Sequence, residues 1–365
     1  MTNVLDLARL RVNPLAERAS LSRVEDVLLD PDGPAKPLSD EANRSLDACA
    51  EALRAAKARG AAVMLIYGAH LLRNGAGPIL TRLMETGWIT HLATNGAGTI
   101  HDWEFAWYGA STESVEMGVA GGTFGTWHET ATNIHLAIMT GALDGLGYGV
   151  SLGRFIHHDG TIVPSADVLK FQIAATPDDP LTAARADLLQ AIKAGHFHSG
   201  ERHINHRWKH ASIVAQAYRL GVPLTVHPGI GYDIIANHPC FSGAAIGRAA
   251  DHDFRLFGGS VDRLDGGVVL SIGSAIMGPQ VFEKSLSCVN NLRLQSGKPV
   301  VCGHTIFVVD LQDGGGWDWA AGEPPKSNPA YYLRFCKSFS RMGAPMRYIQ
   351  ADNAAFVQGL WERLR

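Results

Sequence analysis

The chain has 365 residues, 46% of them hydrophobic and 18% charged, with a formal net charge of −3. That composition can bury a substantial core and excludes a mainly disordered chain. It supplies no global positive field to hold nucleic acid or an anionic membrane, and the low charged fraction points to buried area beyond one core, hence to a homo-oligomer.

The five cysteines (Cys49, Cys240, Cys288, Cys302, Cys336) are scattered and form no C-x-x-C pair. Neither a disulfide framework nor a cysteine zinc site is indicated. The first 30 residues lack an apolar signal core, and no apolar run reaches bilayer length. A cytoplasmic protein is expected.

In chain order, residues 1–38 read as an irregular N-terminal arm, punctuated by Pro14, Pro31, Pro34 and Pro37. Ser39-Asp40 can cap a helix running to about Arg59, with Leu46, Cys49, Leu53 and Ala56 on one face. Ala61–Tyr67 is a short continuous apolar run, the mark of a strand buried on both faces. Gly77-Pro78 opens a helix, Ile79 to Glu85. Ile89–Thr94 is a second buried strand, leading into Asn95-Gly96-Ala97-Gly98 and a helical stretch from Thr99. Strands follow at Val222–Val226, Gly266–Ile272, Thr305–Leu311 and Met346–Gln350. Helices are expected at 183–194, 204–220, 280–295, 329–341 and 353–364. This alternation predicts an α/β fold, a Rossmann-like parallel sheet with helices on both faces, as a single domain over 39–365. Ligands in such sheets bind at the carboxyl ends of the strands.

Several motifs carry two readings each. Glycines after the strand at Thr94 let backbone N–H groups approach a pyrophosphate, or make a tight capped turn; Asp102 and Glu104 just beyond would oppose a phosphate. Gly149-Val-Ser151-Leu-Gly153 fits G-x-S-x-G, but the residues after it do not read as the helix a nucleophile elbow requires. His203, His206 and His210 fall at i, i+3 and i+7, on one helical face, where they hold a metal or simply form a polar surface or subunit contact. Asp233, Asp310 and Asp352 each follow a strand, as acids for a substrate or as helix caps.

The stretch Val63–Trp107 resembles the N-terminal part of deoxyhypusine synthases, with a strand, a polar turn, a helix, and a strand ending in a glycine turn. Val222–Ile235, Gly267–Ala275 and Gln350–Asn353 resemble later segments of that family in the same order. The resemblance implies an NAD-binding fold, a homotetramer, and transient oxidation of an amine by NAD before aminobutyl transfer through an active-site lysine. It places Gly68, Ala69 and His70 at a first NAD turn, Asn95, Gly96 and Ala97 at a second, and Ala351 and Asp352 at the adenosine end. Asp233 matches a polyamine-binding aspartate.

The family's acidic pair is Ile100-His101 here, the first aspartate of its polyamine turn is Pro228, and its lysine position holds Phe335. Lys337 lies about 200° further round a helix. The expectation is an NAD-binding enzyme for a small amine or amino-acid substrate that does not make deoxyhypusine, with Asp233, His101 and His304 as catalytic groups near the nicotinamide and no metal. The alternatives are a metal-assisted hydrolase or lyase using the histidine cluster, and a nucleotide-binding scaffold without catalysis.

Overall fold

The computed structural model describes residues 4–365; the first three residues of the expected arm lie outside it. The described chain divides into two compact units, where the sequence pattern suggests one domain. A sheet unit comprises Val27–Gly98, Leu220–His227 and Phe254–Arg365. A mainly helical unit comprises the residues up to Asp26, Thr99–Arg219 and Pro228–Asp253.

The sheet unit holds six parallel strands: β1 (Val63–Tyr67), β2 (His91–Thr94), β3 (Leu224–Val226), β4 (Val268–Ile272), β5 (Thr305–Asp310) and β6 (Met346–Gln350). Their spatial order is β6-β5-β4-β1-β2-β3. Leu65 of β1 stands opposite Leu92 of β2 and Leu270 of β4. Alternate side chains leave the sheet on opposite faces. Met64, Ile66, Val269, Ile306 and Val308 join one apolar cluster with Phe282, Leu286, Phe335 and Phe339, so the helices Met277–Gln295 and Arg334–Ser340 cover that face. The helices Asp40–Ala58, Gly77–Glu85 and Asn353–Leu364 pack against one another on the other face. The first of these starts where expected, because the Ser39 hydroxyl accepts the Ala42 N–H at 3.2 Å. Among the described residues no helix is long and apolar enough to cross a membrane.

The helical unit corrects four expectations. First, part of the arm is interior: Leu15 is fully buried, and Arg18 forms a buried bidentate pair with Glu104 at 2.7 and 2.9 Å. Second, the helix expected over 204–220 begins only at Ile213. His203 lies in an exposed strand, the His206 N–H goes to the Asp159 carboxylate, and His210 sits in a 3-10 turn, so the three histidines share no helical face. Third, the helix start is fixed by Asp102, which accepts the Ile213 N–H at 2.7 Å and the Ser212 hydroxyl, while Ser212 itself accepts the Ala215 N–H. Fourth, G-x-S-x-G lies inside a helix, Tyr148–His157, with Ser151 buried. Its Gly153 is a packing residue: a Cβ there would lie 2.6 Å from the Val214 carbonyl oxygen.

Candidate functional site at the carboxyl edge of the sheet

The strand order reverses between β1 and β4. From β1 the chain proceeds outward through β2 and β3, then returns to lay β4 beside β1 and continues through β5 and β6. A sheet with this order opens a crevice beyond the carboxyl ends of the two central strands, because the connections there run to opposite sides. The residues following β1 and β4 are both glycines, and each is required by contact. The Gly68 N–H donates to the Ile272 carbonyl at 3.1 Å, and a Cβ on Gly68 would lie 2.0 Å from the Gly273 carbonyl oxygen. Gly273 has φ +59, and a Cβ there would lie 2.4 Å from the Asn353 amide nitrogen.

Asn353 is the residue that the sequence pattern left unmarked. It opens the helix Asn353–Leu364, immediately after Asp352, whose carboxylate caps that helix by accepting the Ala355 N–H at 2.8 Å. The Asn353 side chain is 7% exposed, and its Oδ1 has no hydrogen-bond partner among the described residues. A buried carbonyl without a donor costs about 1–3 kcal/mol. The signal available in the sequence was the Asp-Asn pair itself: one member caps, and the other is free to face the crevice.

The same edge gathers most of the expected cofactor residues. Gly68, Ala69 and His70 follow β1; Asn95, Gly96 and Ala97 follow β2; Ala351 and Asp352 follow β6. Adjacent strands lie about 4.8 Å apart, so β2 and β6 are separated by roughly 19 Å along this edge. The Asn95 Oδ1 accepts the Gly98 N–H at 3.0 Å and starts the helix Gly96–Tyr108. Gly98 packs directly on Thr94, whose hydroxyl lies 2.1 Å from where a Cβ would sit. Burial holds His70 below the usual histidine range, Arg73 adds to the effect, and Asp310 at the end of β5 opposes it.

His304 does not belong to this set. It immediately precedes β5, at the amino end of a parallel strand, a strand length of about 20 Å from the crevice edge. There it is buried against the Phe282 ring, with no hydrogen-bond partner for either ring nitrogen among the described residues.

His101 and Asp233 lie in the helical unit. The His101 Nδ1 is 2.7 Å from the Ser111 hydroxyl, which donates to the Glu104 carboxylate at 2.5 Å. Thr130 and Arg18 also donate to Glu104, so this carboxylate is neutralised within its own unit, as Asp102 is committed to capping. Asp233 is buried, and its Oδ2 accepts the Gly229 N–H at 2.7 Å, closing the turn that follows Pro228.

Phe335, at the position of the family's lysine, is buried in the apolar cluster, 6.2 Å from the Tyr348 ring. Lys337 lies over the Tyr331 ring at 3.4 Å, with the Glu323 carboxylate at 4.0 Å. Among the described residues no three His, Cys, Asp or Glu side chains are grouped so as to hold a metal ion.

No protein-family model matches the chain, and no curated protein matches it. Solved structures share its fold distantly. AgrE, solved as a ternary complex with ornithine and NAD+, has 13% identity over 90% of this chain and 34% of its own, at a TM-score of 0.44. ArgZ, an arginine dihydrolase from the ornithine–ammonia cycle in cyanobacteria, has 13% identity, covering 90% of this chain and 33% of its own, at 0.41. A conserved putative LOR/SDH protein from Methanococcus maripaludis S2 has 14% identity over 97% of this chain and 76% of its own, at 0.43. The chain thus spans about a third of the length of AgrE and ArgZ.

Proposed function

We propose that the crevice beyond β1 and β4 binds NAD, and that the protein is a deoxyhypusine synthase-like enzyme acting on a small amine or amino-acid substrate. The observation that supports this best is the buried, unpartnered Asn353 Oδ1 at the point where the strand order reverses. The residues present fit a dinucleotide. Asn353 offers an acceptor and Asn95 caps the positive end of a helix, while Gly68 and Gly273 are required where one strand end packs on the other and on Asn353. Gly96, Ala97, Ala69, Ala351 and Asp352 complete the contact surface that the resemblance implies. When bound, NAD supplies a hydride acceptor. In this reading His304 drops out, and His101 and Asp233, which lie in the other unit, are given no role at this crevice.

A lysine–imine step is not part of the proposal. An apolar ring at Phe335 cannot attack carbon, and Lys337 is held by Tyr331 and Glu323. We further propose a cytoplasmic homotetramer, to be tested by light scattering. The test of the cofactor is calorimetric titration of the full chain with NAD and NADH. Absence of binding at millimolar ligand overturns it; NAD binding without turnover of any amine makes the protein a binding scaffold.

A further inference from the structure

A second candidate site lies along the outer edge of the sheet unit, its smaller lobe reaching Gln350 beside Ala351. β6 is the edge strand, and beside it runs a trough of two adjoining lobes of about 560 Å³ and 350 Å³. Both lobes are lined by Glu41 and Ser45 of the helix Asp40–Ala58, by Trp317 and by Tyr348. The larger lobe adds Asp318 and Trp319.

The sequence builds this trough through Asp313-Gly-Gly-Gly-Trp317. Gly315 and Gly316 take φ of +55 and +61, a left-handed path that other residues resist. Gly314 abuts the Cδ1–Cε1 edge of the Tyr348 ring, where a Cβ would come within 2.6 Å. The loop therefore presses against the edge strand and carries the two tryptophans with it. The Trp317 indole N–H donates to the Gly322 carbonyl at 2.9 Å, which fixes that ring.

Two further observations point to a ligand. The Trp319 side chain is 5% exposed, and its indole N–H has no acceptor among the described residues. The Glu41 carboxylate, shared by both lobes, takes part in no ion pair or hydrogen bond among the described residues. Asp318 adds a second carboxylate. The lining holds one cation, Arg347, on the exposed side of the edge strand. Aromatic faces beside an unpaired carboxylate attract an organic cation, and a buried N–H without a partner needs an acceptor.

We propose that this trough binds a small organic ammonium compound that has a flat or apolar body and an oxygen acceptor. The ammonium group meets Glu41 and Asp318 over the rings of Trp317 and Tyr348, and the oxygen meets Trp319. This site goes beyond the cofactor reading and does not depend on it.

The probe is tyramine, followed by calorimetry and tryptophan fluorescence on the full chain, with para-ethylphenol as the same body lacking the amine. Tyramine should bind, and para-ethylphenol at least about tenfold more weakly. Glu41→Gln should weaken tyramine at least about tenfold without lowering the melting temperature, since Glu41 is exposed. Asn353→Leu should leave tyramine binding unchanged. No tyramine binding at millimolar ligand, equal binding of para-ethylphenol, or full affinity in Glu41→Gln each overturns the proposal. Weakening of tyramine by Asn353→Leu also overturns it, because the two sites would then be one. Tyramine binding retained in a protein that does not bind NAD supports this site and strikes the cofactor reading alone.

Discussion

Replacing Asn353 by leucine separates folding from ligand binding at the crevice. In the free protein the Oδ1 carbonyl is buried without a donor, which costs about 1–3 kcal/mol. Leucine has the same branched heavy-atom skeleton and carries no polar atom, although its methyl groups are bulkier than the amide. The following helix keeps its cap, because Asp352 accepts the Ala355 N–H. Asn353→Leu should therefore leave stability unchanged or raise it by about 1 kcal/mol. Binding moves in the opposite direction. A ligand donor that reaches Oδ1 in the wild type meets a methyl group in the variant and loses about 1–3 kcal/mol, roughly 5- to 150-fold in Kd. Thermal unfolding and NAD calorimetry on the same samples read both effects. A variant that melts several degrees lower yet binds NAD like the wild type refutes the reasoning: Oδ1 would then serve the fold, and the ligand would lie elsewhere.

Three other outcomes follow from named groups. Burial raises Asp102 to about 7 from 3.8, so the folded state holds this proton more tightly than the unfolded chain. Stability from that group falls as pH rises through this interval, by on the order of 2–4 kcal/mol. Asp102→Asn removes this contribution, so the variant should gain stability relative to the wild type as pH rises from about 4 to 7, and identical pH dependences of the urea-unfolding free energy for both proteins over that range would exclude the effect. Burial pushes His91 and His238 down to about 3, and His135, His206 and His227 to about 4. The unfolded chain takes up protons below about 6.5 that the native protein refuses, so stability should be lost as pH falls from there toward 4. A melting temperature that holds constant over that range would contradict it. Lys337→Ala should keep any amine-dependent activity within severalfold, because loss of an essential nucleophile costs about 10³ or more. Borohydride treatment with labelled spermidine and NAD should fix no label to the protein; label on Lys337 would restore the lysine–imine route.

The central strands were legible because they are short apolar runs buried on both faces, as in Val63–Tyr67 and Val268–Ile272, whereas the edge strand Met346–Gln350 buries only Ile349. Helix starts were legible where a side chain caps, as at Ser39. The division into units was not, because residues 99–219 and 228–253 are set off by no long linker; they are distinguished by packing against themselves. The helix expected from residue 204 failed for a related reason. Its periodic histidines suggested a face, but Asp102, more than a hundred residues away, supplies the cap that sets the start at Ile213. Long-range capping of this kind leaves no local pattern, although Ser212 gave half of it.

The fate of the two orphaned polar groups shows what topology adds to residue type. His304 and Asn353 are both buried, and both hold nitrogen or oxygen atoms without partners. By chemistry alone the histidine is the better candidate, since imidazole titrates near neutrality and amides do not. Yet His304 precedes its strand, and Asn353 follows the last one. In a parallel sheet all strands point the same way, so a residue before a strand and a residue after one stand at opposite edges. Only the second edge has the crevice that the order reversal opens. The direction of β5 was already readable from the alternation of strands and helices, and it was sufficient to set His304 aside. Selecting Asn353 required the strand order, because only β4 beside β1 brings Gly273 against its amide.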